Sequence, residues 1–345
     1  MKKNSLFLLC LMLIILTACS KESVEKEEEK KVEKEVEPVV VEPVETPSYP
    51  LTGLPSQEES TDRAVSVMIN NHSAARPQTG LTDADLVYEV LAEGEVTRFL
   101  AVYQSTKPES VGPVRSARDY FLELAKGYNS FYVAHGYSEK AKELLDSGYI
   151  DHINGMQYDG TLFQRSTDRV APHNSYISFA NIEKGAKQNN YSLETAPEKL
   201  PFLSMDEVES LEGTDSNMVS ISYGSISTYN SQFIYEEDIQ KYIRTSDGEQ
   251  TVDLETKEPV AVDNVFIIEA EHQLVGDSGR RSIDLTSGGK AYLIQRGKWQ
   301  EVDWQDVNGR PLPFNNGKPV GLVPGKTWIN IVPSKPGLDK AISFE

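Results

Sequence analysis

The stretch Leu86-Val87-Tyr88-Glu89-Val90-Leu91-Ala92 is followed, after Glu93-Gly94-Glu95, by Val96-Thr97-Arg98-Phe99-Leu100-Ala101-Val102-Tyr103-Gln104. Both runs are rich in β-branched and aromatic residues, which favour extended strands. The glycine between two acidic residues is typical of a turn. The two runs are therefore predicted to form a β-hairpin.

Both helices and strands are predicted around this hairpin. A strand at 64–70 precedes it, and it is followed by a helix at 116–126, a strand at 130–135 and helices at 138–146 and 178–188. Residues 190–215 are polar and are predicted to be a connection. From residue 217 onward, β-rich runs are separated by turn signals such as Asn308-Gly309. We therefore predict an α+β fold with mixed sheets and helices on one side. An N-terminal α/β domain would cover 50–200, and a C-terminal β-rich domain would cover 215–345.

The first residues have the composition of a cleavable signal. Lys2 and Lys3 precede an apolar run at 6–16, and its eleven residues are fewer than the roughly 20 that a membrane-spanning helix needs. Leu16-Thr17-Ala18-Cys19 fits the lipobox pattern, in which cleavage before the cysteine leaves it as a lipidated N-terminus. We predict a signal peptide at 1–18, lipidation of Cys19 and a location at the outer face of the cytoplasmic membrane.

Residues 19–49 are predicted to be a disordered linker. They are rich in Glu and Lys and then in Pro and Val, and no apolar periodicity ties them to a core. The whole chain has a formal charge of −19. About −16 of it lies in residues 50–345, once the two lysines of the signal and the excess of five glutamates in the linker are set aside. A fold this acidic argues against nonspecific binding to nucleic acid or to anionic lipid headgroups.

Composition and motifs exclude several kinds of chemistry. Cys10 belongs to the signal, so Cys19 is the single cysteine of the mature chain. Thiol catalysis, internal disulfides and cysteine–metal sites are therefore excluded. Gly-x-Ser-x-Gly, Walker and His-Glu-x-x-His motifs do not occur. The five histidines, at positions 72, 135, 152, 173 and 272, lack the spacing of metal ligands, and we predict no metal and no cofactor.

Two arginines lie at a predicted helix start. Ser116 is the predicted N-cap, Asp119 follows three residues later, and Arg115 and Arg118 flank the cap. Free N–H groups at a helix N-terminus favour an anion, and guanidinium groups bind carboxylate or phosphate in a bidentate manner. The pair is therefore a candidate ligand site. Internal salt bridges to Asp119 or to the glutamates of the hairpin are the alternative.

Two histidines lie in polar surroundings. His135 ends the predicted strand at 130–135 and precedes Gly136, a position where α/β folds often bind ligands. His173 and Asn174 belong to the polar loop at 168–174, and loops often carry binding residues. The alternatives are a buried His135 that is hydrogen-bonded to a neighbouring carboxylate, and an ordinary surface turn at 168–174.

Glu89 and Glu93 are candidate acid/base residues. In a strand they would lie about 13 Å apart at roughly 3.3 Å per residue. This separation is too large for the paired carboxylates of retaining or inverting glycosidases. Either glutamate could still act with a carboxylate that is distant in sequence.

Short motifs along the chain are shared with a known family. They are Met68-Ile69-Asn70-Asn71, Ala75-Arg76-Pro77-Gln78-Thr79-Gly80-Leu81, Ala84-Asp85-Leu86-Val87-Tyr88-Glu89, Glu93-Gly94, Thr97-Arg98-Phe99-Leu100, Gly112-Pro113-Val114-Arg115-Ser116-Ala117-Arg118, Ala171-Pro172-His173-Asn174 and Gly325-Lys326-Thr327-Trp328-Ile329. They resemble the YerB-type lipoprotein family of Gram-positive bacteria from about residue 50 to the C-terminus. The resemblance implies a three-layer β-β-α sandwich, with no established reaction or ligand. The loop after His135 departs from the family pattern, since it reads Gly-Tyr-Ser where Gly-Gly-Ser is expected.

These observations lead to a functional hypothesis. We predict a lipid-anchored binding protein with a polar cleft. Its ligand-binding residues would be Arg98, Arg115, Arg118, His135, His173 and Asn174. Glu89 and Glu93 would lie in the same cleft. The ligand would be an anionic or sugar-containing envelope molecule, or a segment of a cell-wall protein. An enzyme that acts on wall polymers by Glu or His acid–base chemistry is the alternative. A third possibility is that the β-rich half presents a sheet edge to a membrane partner.

Overall fold

The computed structural model describes residues 46–276 and 279–345. Within the chain, Thr46–Glu345 forms one compact unit. The predicted signal peptide, Cys19 and the linker as far as residue 45 lie outside the described residues.

The described residues form strands of two to ten residues and short helices. The first strands are β1 Val65–Asn70, β2 Leu86–Glu93, β3 Val96–Tyr103, β4 Ser110–Val111, β5 Phe131–Ala134, β6 His152–Asn154, β7 Phe163–Arg165, β8 Ser175–Ser178, β9 Thr214–Asp215, β10 Met218–Ile221, β11 Ser231–Glu236 and β12 Lys241–Ser246. They continue with β13 Glu249–Gln250, β14 Ala261–Val262, β15 Asn264–Ala270, β16 His272–Val275, β17 Arg280–Ile283, β18 Gly289–Gln295, β19 Lys298–Val307, β20 Arg310–Asn315, β21 Lys318–Pro319, β22 Thr327–Pro333 and β23 Ile342–Phe344. The α-helices are α1 Asp119–Gly127, α2 Glu139–Asp146, α3 Gly155–Tyr158, α4 Phe179–Gln188, α5 Met205–Glu209 and α6 Leu338–Ala341.

A twelve-stranded sheet contains strands from both halves of the chain. Its order is β21-β20-β19-β18-β15-β22-β2-β3-β1-β5-β6, and β9 pairs with β19. The predicted hairpin is confirmed as the antiparallel pair β2–β3, and β2 also lies parallel to β22. β1 is antiparallel to β3 and parallel to β5, which in turn is parallel to β6. Both predicted domains therefore contribute to one sheet, and their division near 200–215 stays a prediction.

Each face of this sheet is covered by a different layer. Side chains of β2 alternate between two cores, with Val87 and Leu91 in one and Tyr88 and Val90 in the other. The six-stranded sheet β13-β12-β11-β10-β23, with β14 beside β12, packs on the first core together with α4. Helices α1 and α2 pack on the second core. The fold is therefore a β-β-α sandwich, and the predicted α+β class is confirmed. Because both faces of β2 are buried, its sequence is almost continuously apolar.

Local signals located α1, α2, α4 and most strands of six or more residues, whereas shorter elements such as β6, β7, β8 and α5 were not predicted. The predicted N-cap at Ser116 is wrong, because α1 begins at Asp119 and the Ser116 hydroxyl donates to the His135 carbonyl at 3.1 Å. Ser138 does cap α2, where its side chain accepts the N–H of Ala141. Strand β20 was not predicted, because its two prolines cannot donate to a ladder and argue against a strand.

Candidate functional site

Polar side chains follow the carboxyl ends of three neighbouring parallel strands. Asn70 ends β1 and is followed by Asn71 and His72, His135 follows β5, and Asn154 ends β6. The carboxyl ends of parallel strands meet at the same edge of a sheet, which is where open α/β sheets bind ligands. This edge brings together two of the predicted site residues, His135 and Arg115, with residues that the sequence did not single out.

Arg115 is held between β1 and β5 by its backbone. Its N–H donates to the carbonyl of Met68 at 2.8 Å, and its carbonyl accepts the N–H of His135 at 3.0 Å. The guanidinium is half-buried, and within residues 46–276 and 279–345 it has no carboxylate or hydrogen-bond partner. Burial, and secondarily repulsion from Arg98, lowers the pKa of Arg115 to about 10. It therefore remains a cation at neutral pH.

His173 stacks on His72, with ring centroids 4.6 Å apart. The Oδ1 atom of Asn70 accepts the N–H of His72 at 3.0 Å, so the Nδ2 atom of Asn70 donates to Nδ1 of His173 at 2.9 Å. His72 accepts the N–H of Ala74 on its own Nδ1 at 3.1 Å. These contacts assign the proton of both neutral rings to Nε2. Burial, followed by repulsion from His72 and Arg115, lowers the pKa of His173.

We call His72, Arg115 and His173 the histidine–arginine cluster. The Val114 N–H donates to the Ser175 carbonyl at 2.6 Å, and Asn70 at the end of β1 binds His173, so the three residues of the cluster lie at the same end of the sheet. Neither Nε2 atom has a hydrogen-bond partner among the described residues. The cluster therefore presents only hydrogen-bond donors to a ligand, namely one guanidinium and two imidazole N–H groups.

His135 is engaged on both ring nitrogens. Arg165 donates from Nη2 to its Nε2 at 3.0 Å, so Nδ1 carries the proton that is donated to the Ser175 hydroxyl at 2.7 Å. The ring also lies against Gly155, where a Cβ atom would be only 2.3 Å from it. Burial and repulsion from Arg165 lower the pKa of His135. His135 is therefore hydrogen-bonded within the protein, but it is half-buried and its partners are an arginine and a serine rather than the carboxylate of the alternative hypothesis.

Gly136 and Asn174 also make their contacts within the protein. A Cβ on Gly136, whose φ is +98°, would lie 2.6 Å from the Ser116 hydroxyl, so the close approach that this glycine permits is used by the protein itself. Asn174 is buried, accepts from Arg165 at 3.1 Å and donates to the Ser166 carbonyl at 3.1 Å.

Arg98 and Arg118 share Glu93 on the helix side of the large sheet. Arg98 Nη2 lies 2.5 Å from Oε2 of Glu93, and Arg118 Nη2 contacts Oε1 of the same carboxylate. Both arginines are almost wholly buried, and burial lowers the pKa of each, to about 10 for Arg98. Of the two arginines for which internal pairing was the alternative, Arg118 is thus paired with Glu93, whereas Arg115 has no carboxylate partner among the described residues.

Glu89 and Glu93 occupy opposite faces of the large sheet. Four residues apart on a regular strand, they would share one face, but the register of β2 against β3 shifts between Leu91 and Glu93. Glu89 therefore points between the two sheets, where Arg244 of β12 binds it through Nη2 at 2.9 and 3.0 Å. Thr97 and Trp328 also donate to this carboxylate, at 3.0 and 3.2 Å. Neither glutamate faces the histidine–arginine cluster as an unengaged carboxylate.

The structure thus divides the predicted cleft into separate groups. Arg115 and His173 come together, Arg98, Arg118 and Glu93 form an ion cluster, and Glu89 belongs to a buried pair. The ligand and acid/base roles given to these residues stay predictions. His72 was missed, although Asn70-Asn71-His72 follows β1 just as His135 follows β5, which was an available signal. Arg244 was also missed, although it shares the period-two face of buried Tyr242.

No helix in 46–276 or 279–345 is long and apolar enough to cross a membrane. In the same part of the chain, no group of three or more His, Cys, Asp or Glu side chains is placed to hold a metal ion.

The fold and the site define an α+β sandwich protein with a polar edge, and comparison with known proteins gives its family. The chain belongs to the family described as protein of unknown function DUF3048. The model of the N-terminal domain matches residues 51–192, and that of the C-terminal domain matches residues 219–329.

Two relatives extend this family assignment over most of the chain. The chain is 44% identical over 327 residues to the Bacillus subtilis (strain 168) protein named "Putative lipoprotein YerB", covering 94% of this chain and 93% of the relative. It is also similar to the crystal structure of the YerB protein from Bacillus subtilis, with a TM-score of 0.80 and 47% identity over 86% of this chain and 99% of that chain. The resemblance inferred from the motifs is confirmed.

Proposed function

We propose that this protein is anchored by lipid at Cys19 to the outer face of the cytoplasmic membrane and binds an anionic group of an envelope ligand. The anchor is supported by Leu16-Thr17-Ala18-Cys19 and by the word lipoprotein in the name of the Bacillus subtilis relative. The binding role is supported by the histidine–arginine cluster. No reaction is part of the proposal.

The observation that supports the binding role is that the cluster contains only hydrogen-bond donors. Arg115 has no counter-charge among the described residues, whereas Arg98 and Arg118 share Glu93. His72 and His173 use Nδ1 as an acceptor within the protein and present Nε2–H outward. Three groups that can only donate match a phosphate or carboxylate, whose oxygens only accept when ionised.

The competing hypothesis of acid–base catalysis has less support. Each of its two candidate glutamates forms an ion pair with at least one arginine, and Glu89 is fully buried. A general acid or base must reach the proton that it transfers. The Nε2–H groups of His72 and His173 have no partner among the described residues, which leaves them available as hydrogen-bond donors to an anionic ligand.

Sulfate titration of the mature chain from Cys19 to Glu345 tests the binding role. Sulfate is expected to shift the side-chain ¹⁵N resonances of His72 and His173 but not those of His152. Arg115→Gln should weaken binding by about tenfold or more, since a hydrogen bond to a charged group contributes about 1.5–3 kcal/mol. Affinity should rise as pH falls, because protonation of His173 adds a positive charge that the anion stabilises.

Arg296→Gln is the matched control for Arg115→Gln. Arg296 is also half-buried, and its Nη1 donates to the Gln240 carbonyl on a turn formed by the C-terminal half of the chain. Sulfate binding that is absent from the wild type, or equal in wild type and Arg115→Gln, would overturn the binding role.

The anchor has a separate test. Labelled palmitate should be incorporated into the wild-type protein in cells that express it, and Cys19→Ala should abolish this incorporation. Equal incorporation into this variant would contradict lipid anchoring at Cys19.

A further inference from the structure

A pocket of about 320 Å³ lies beside the histidine–arginine cluster. One wall is formed by residues 71–78, which follow β1, and the other by β12, β13 and the turn that joins them. We call it the β12–β13 pocket. It is lined by residues from both halves of the chain, so it exists only when the small sheet is packed on the large one.

The pocket is continuous with the cluster along the chain and in space. Asn71 and Ser73, which line it, are the immediate neighbours of His72. The ring of Tyr229 lies 6.5 Å from the His72 ring and 5.7 Å from Cζ of Arg76. One ligand of modest size can therefore contact the cluster and enter the pocket.

The lining of the pocket differs in chemistry from that of the cluster. Arg76 donates from one side, the carboxylates of Asp247 and Glu249 accept from the turn, and Ser73 and Thr228 supply hydroxyls that do both. Among the lining residues, Pro77 and Val252 are the apolar ones. A mixture of donors and acceptors with little apolar surface suits hydroxyl groups, each of which also donates and accepts.

Arg76 carries a buried donor that the fold leaves without a partner. Its Nε donates to Asn71 at 3.0 Å and its Nη1 to the Ser246 hydroxyl at 3.2 Å, but buried Nη2 has no partner among the described residues. A buried unsatisfied N–H is unfavourable in a folded protein. An acceptor from a ligand in the pocket would relieve it.

We infer that the β12–β13 pocket binds the polyhydroxyl part of the ligand whose anionic group contacts the histidine–arginine cluster. The ligand class is then a sugar or other polyol that carries a phosphate or carboxylate. This inference rests on the proposed function and adds to it the chemistry of the second half of the ligand.

The test compares two probes, inorganic phosphate and glucose 1-phosphate, by calorimetry on the mature chain. The readout is the ratio of their dissociation constants. The sugar phosphate should bind about tenfold more tightly, because one or two net hydrogen bonds of about 0.5–1.5 kcal/mol each are added. In Asp247→Asn/Glu249→Gln the ratio should fall severalfold, because a neutral amide oxygen accepts a weaker hydrogen bond than a carboxylate does.

This variant is chosen to spare the fold. Both carboxylates are exposed, and asparagine tolerates the left-handed backbone of residue 247, whose φ is 56°. The matched control is Glu237→Gln/Asp238→Asn, which removes two exposed carboxylates at the turn between β11 and β12. The control should keep the wild-type ratio, and both variants should keep the wild-type melting temperature.

The two proposals fail in different ways. If phosphate binds through Arg115 but the wild-type ratio is close to one, or if Asp247→Asn/Glu249→Gln keeps the wild-type ratio, the pocket inference is overturned and the anion site stands. If the wild type binds neither phosphate nor sulfate, the anion site is overturned and the pocket inference fails with it.

Discussion

Replacing Glu89 by glutamine tests a charge pair that is fully buried between the two sheets. The side chain of Glu89 is 0% exposed and that of Arg244 is 1% exposed. Glu89→Gln preserves the shape but removes the negative charge, and it turns an amide N–H toward a guanidinium that can only donate. Arg244 is then a buried cation without a counter-charge.

The expected loss is about 4 kcal/mol in the free energy of unfolding. Breaking a buried ion pair by removing one partner typically costs about 3–5 kcal/mol. The bonds that Thr97 and Trp328 donate to the carboxylate also lose their charge assistance. Since whole domains are stable by only about 5–15 kcal/mol, the variant should be markedly destabilised.

Urea unfolding followed by tryptophan fluorescence measures this loss. The ring of Trp328, one of the three tryptophans of the chain, lies 4.9 Å from Cζ of Arg244, so it is next to the pair. Asp146→Asn, which removes the exposed pair between Lys142 and Asp146 on α2, is the control and should leave the unfolding midpoint unchanged. Glu89→Leu/Arg244→Met should recover a large part of the loss, because no buried charge remains. A cost below about 1 kcal/mol for Glu89→Gln would refute the reasoning.

Three further predictions concern single residues. Burial lowers the pKa of His272 to about 4, whereas the unfolded chain has a value near 6.5. The unfolded state therefore binds the proton more tightly, and the free energy of unfolding should fall by up to about 3 kcal/mol as the pH falls from 6.5 to 4. Urea titrations at several pH values measure this fall, and His272→Gln should remove it. Ser138→Ala removes the α2 cap and should cost about 1 kcal/mol in thermal unfolding, whereas Ser138→Gly should cost only a few tenths. Gly155→Ala should displace the His135 ring, cost about 1–3 kcal/mol and shift the ¹⁵N resonances of that ring; unchanged resonances would contradict the contact.

Local patterns in the sequence were sufficient for much of the fold. The hairpin β2–β3 was predictable because two β-rich runs flank a single glycine turn. The start of α2 was predictable because Ser138 caps it through a bond to a residue three positions later. The start of α1 was not, because Ser116 bonds instead to His135, which belongs to another strand.

The site was only partly predictable. Arg115 and His173 were singled out by local polarity, and the structure places them near each other. Their companion His72 was not chosen, because its relation to His173 depends on the loop at 168–174 returning to the end of β1. The β12–β13 pocket could not be predicted either, since its two walls come from different halves of the chain.

The sequence by itself determined the hairpin, most of the longer strands, the starts of α2 and α4, the family and the chemistry that is excluded, because these follow from composition, motifs and periodicity along short stretches. Only the tertiary structure decided which charged residues are available to a ligand. Glu89 is neutralised by Arg244, which lies 155 positions away, and a bulge in β2 turns Glu93 toward Arg98 and Arg118. Charges are paired by proximity in space, and no local pattern specifies contacts at such separations. Arg115 emerges as the arginine of the predicted cleft that no carboxylate of the described residues neutralises.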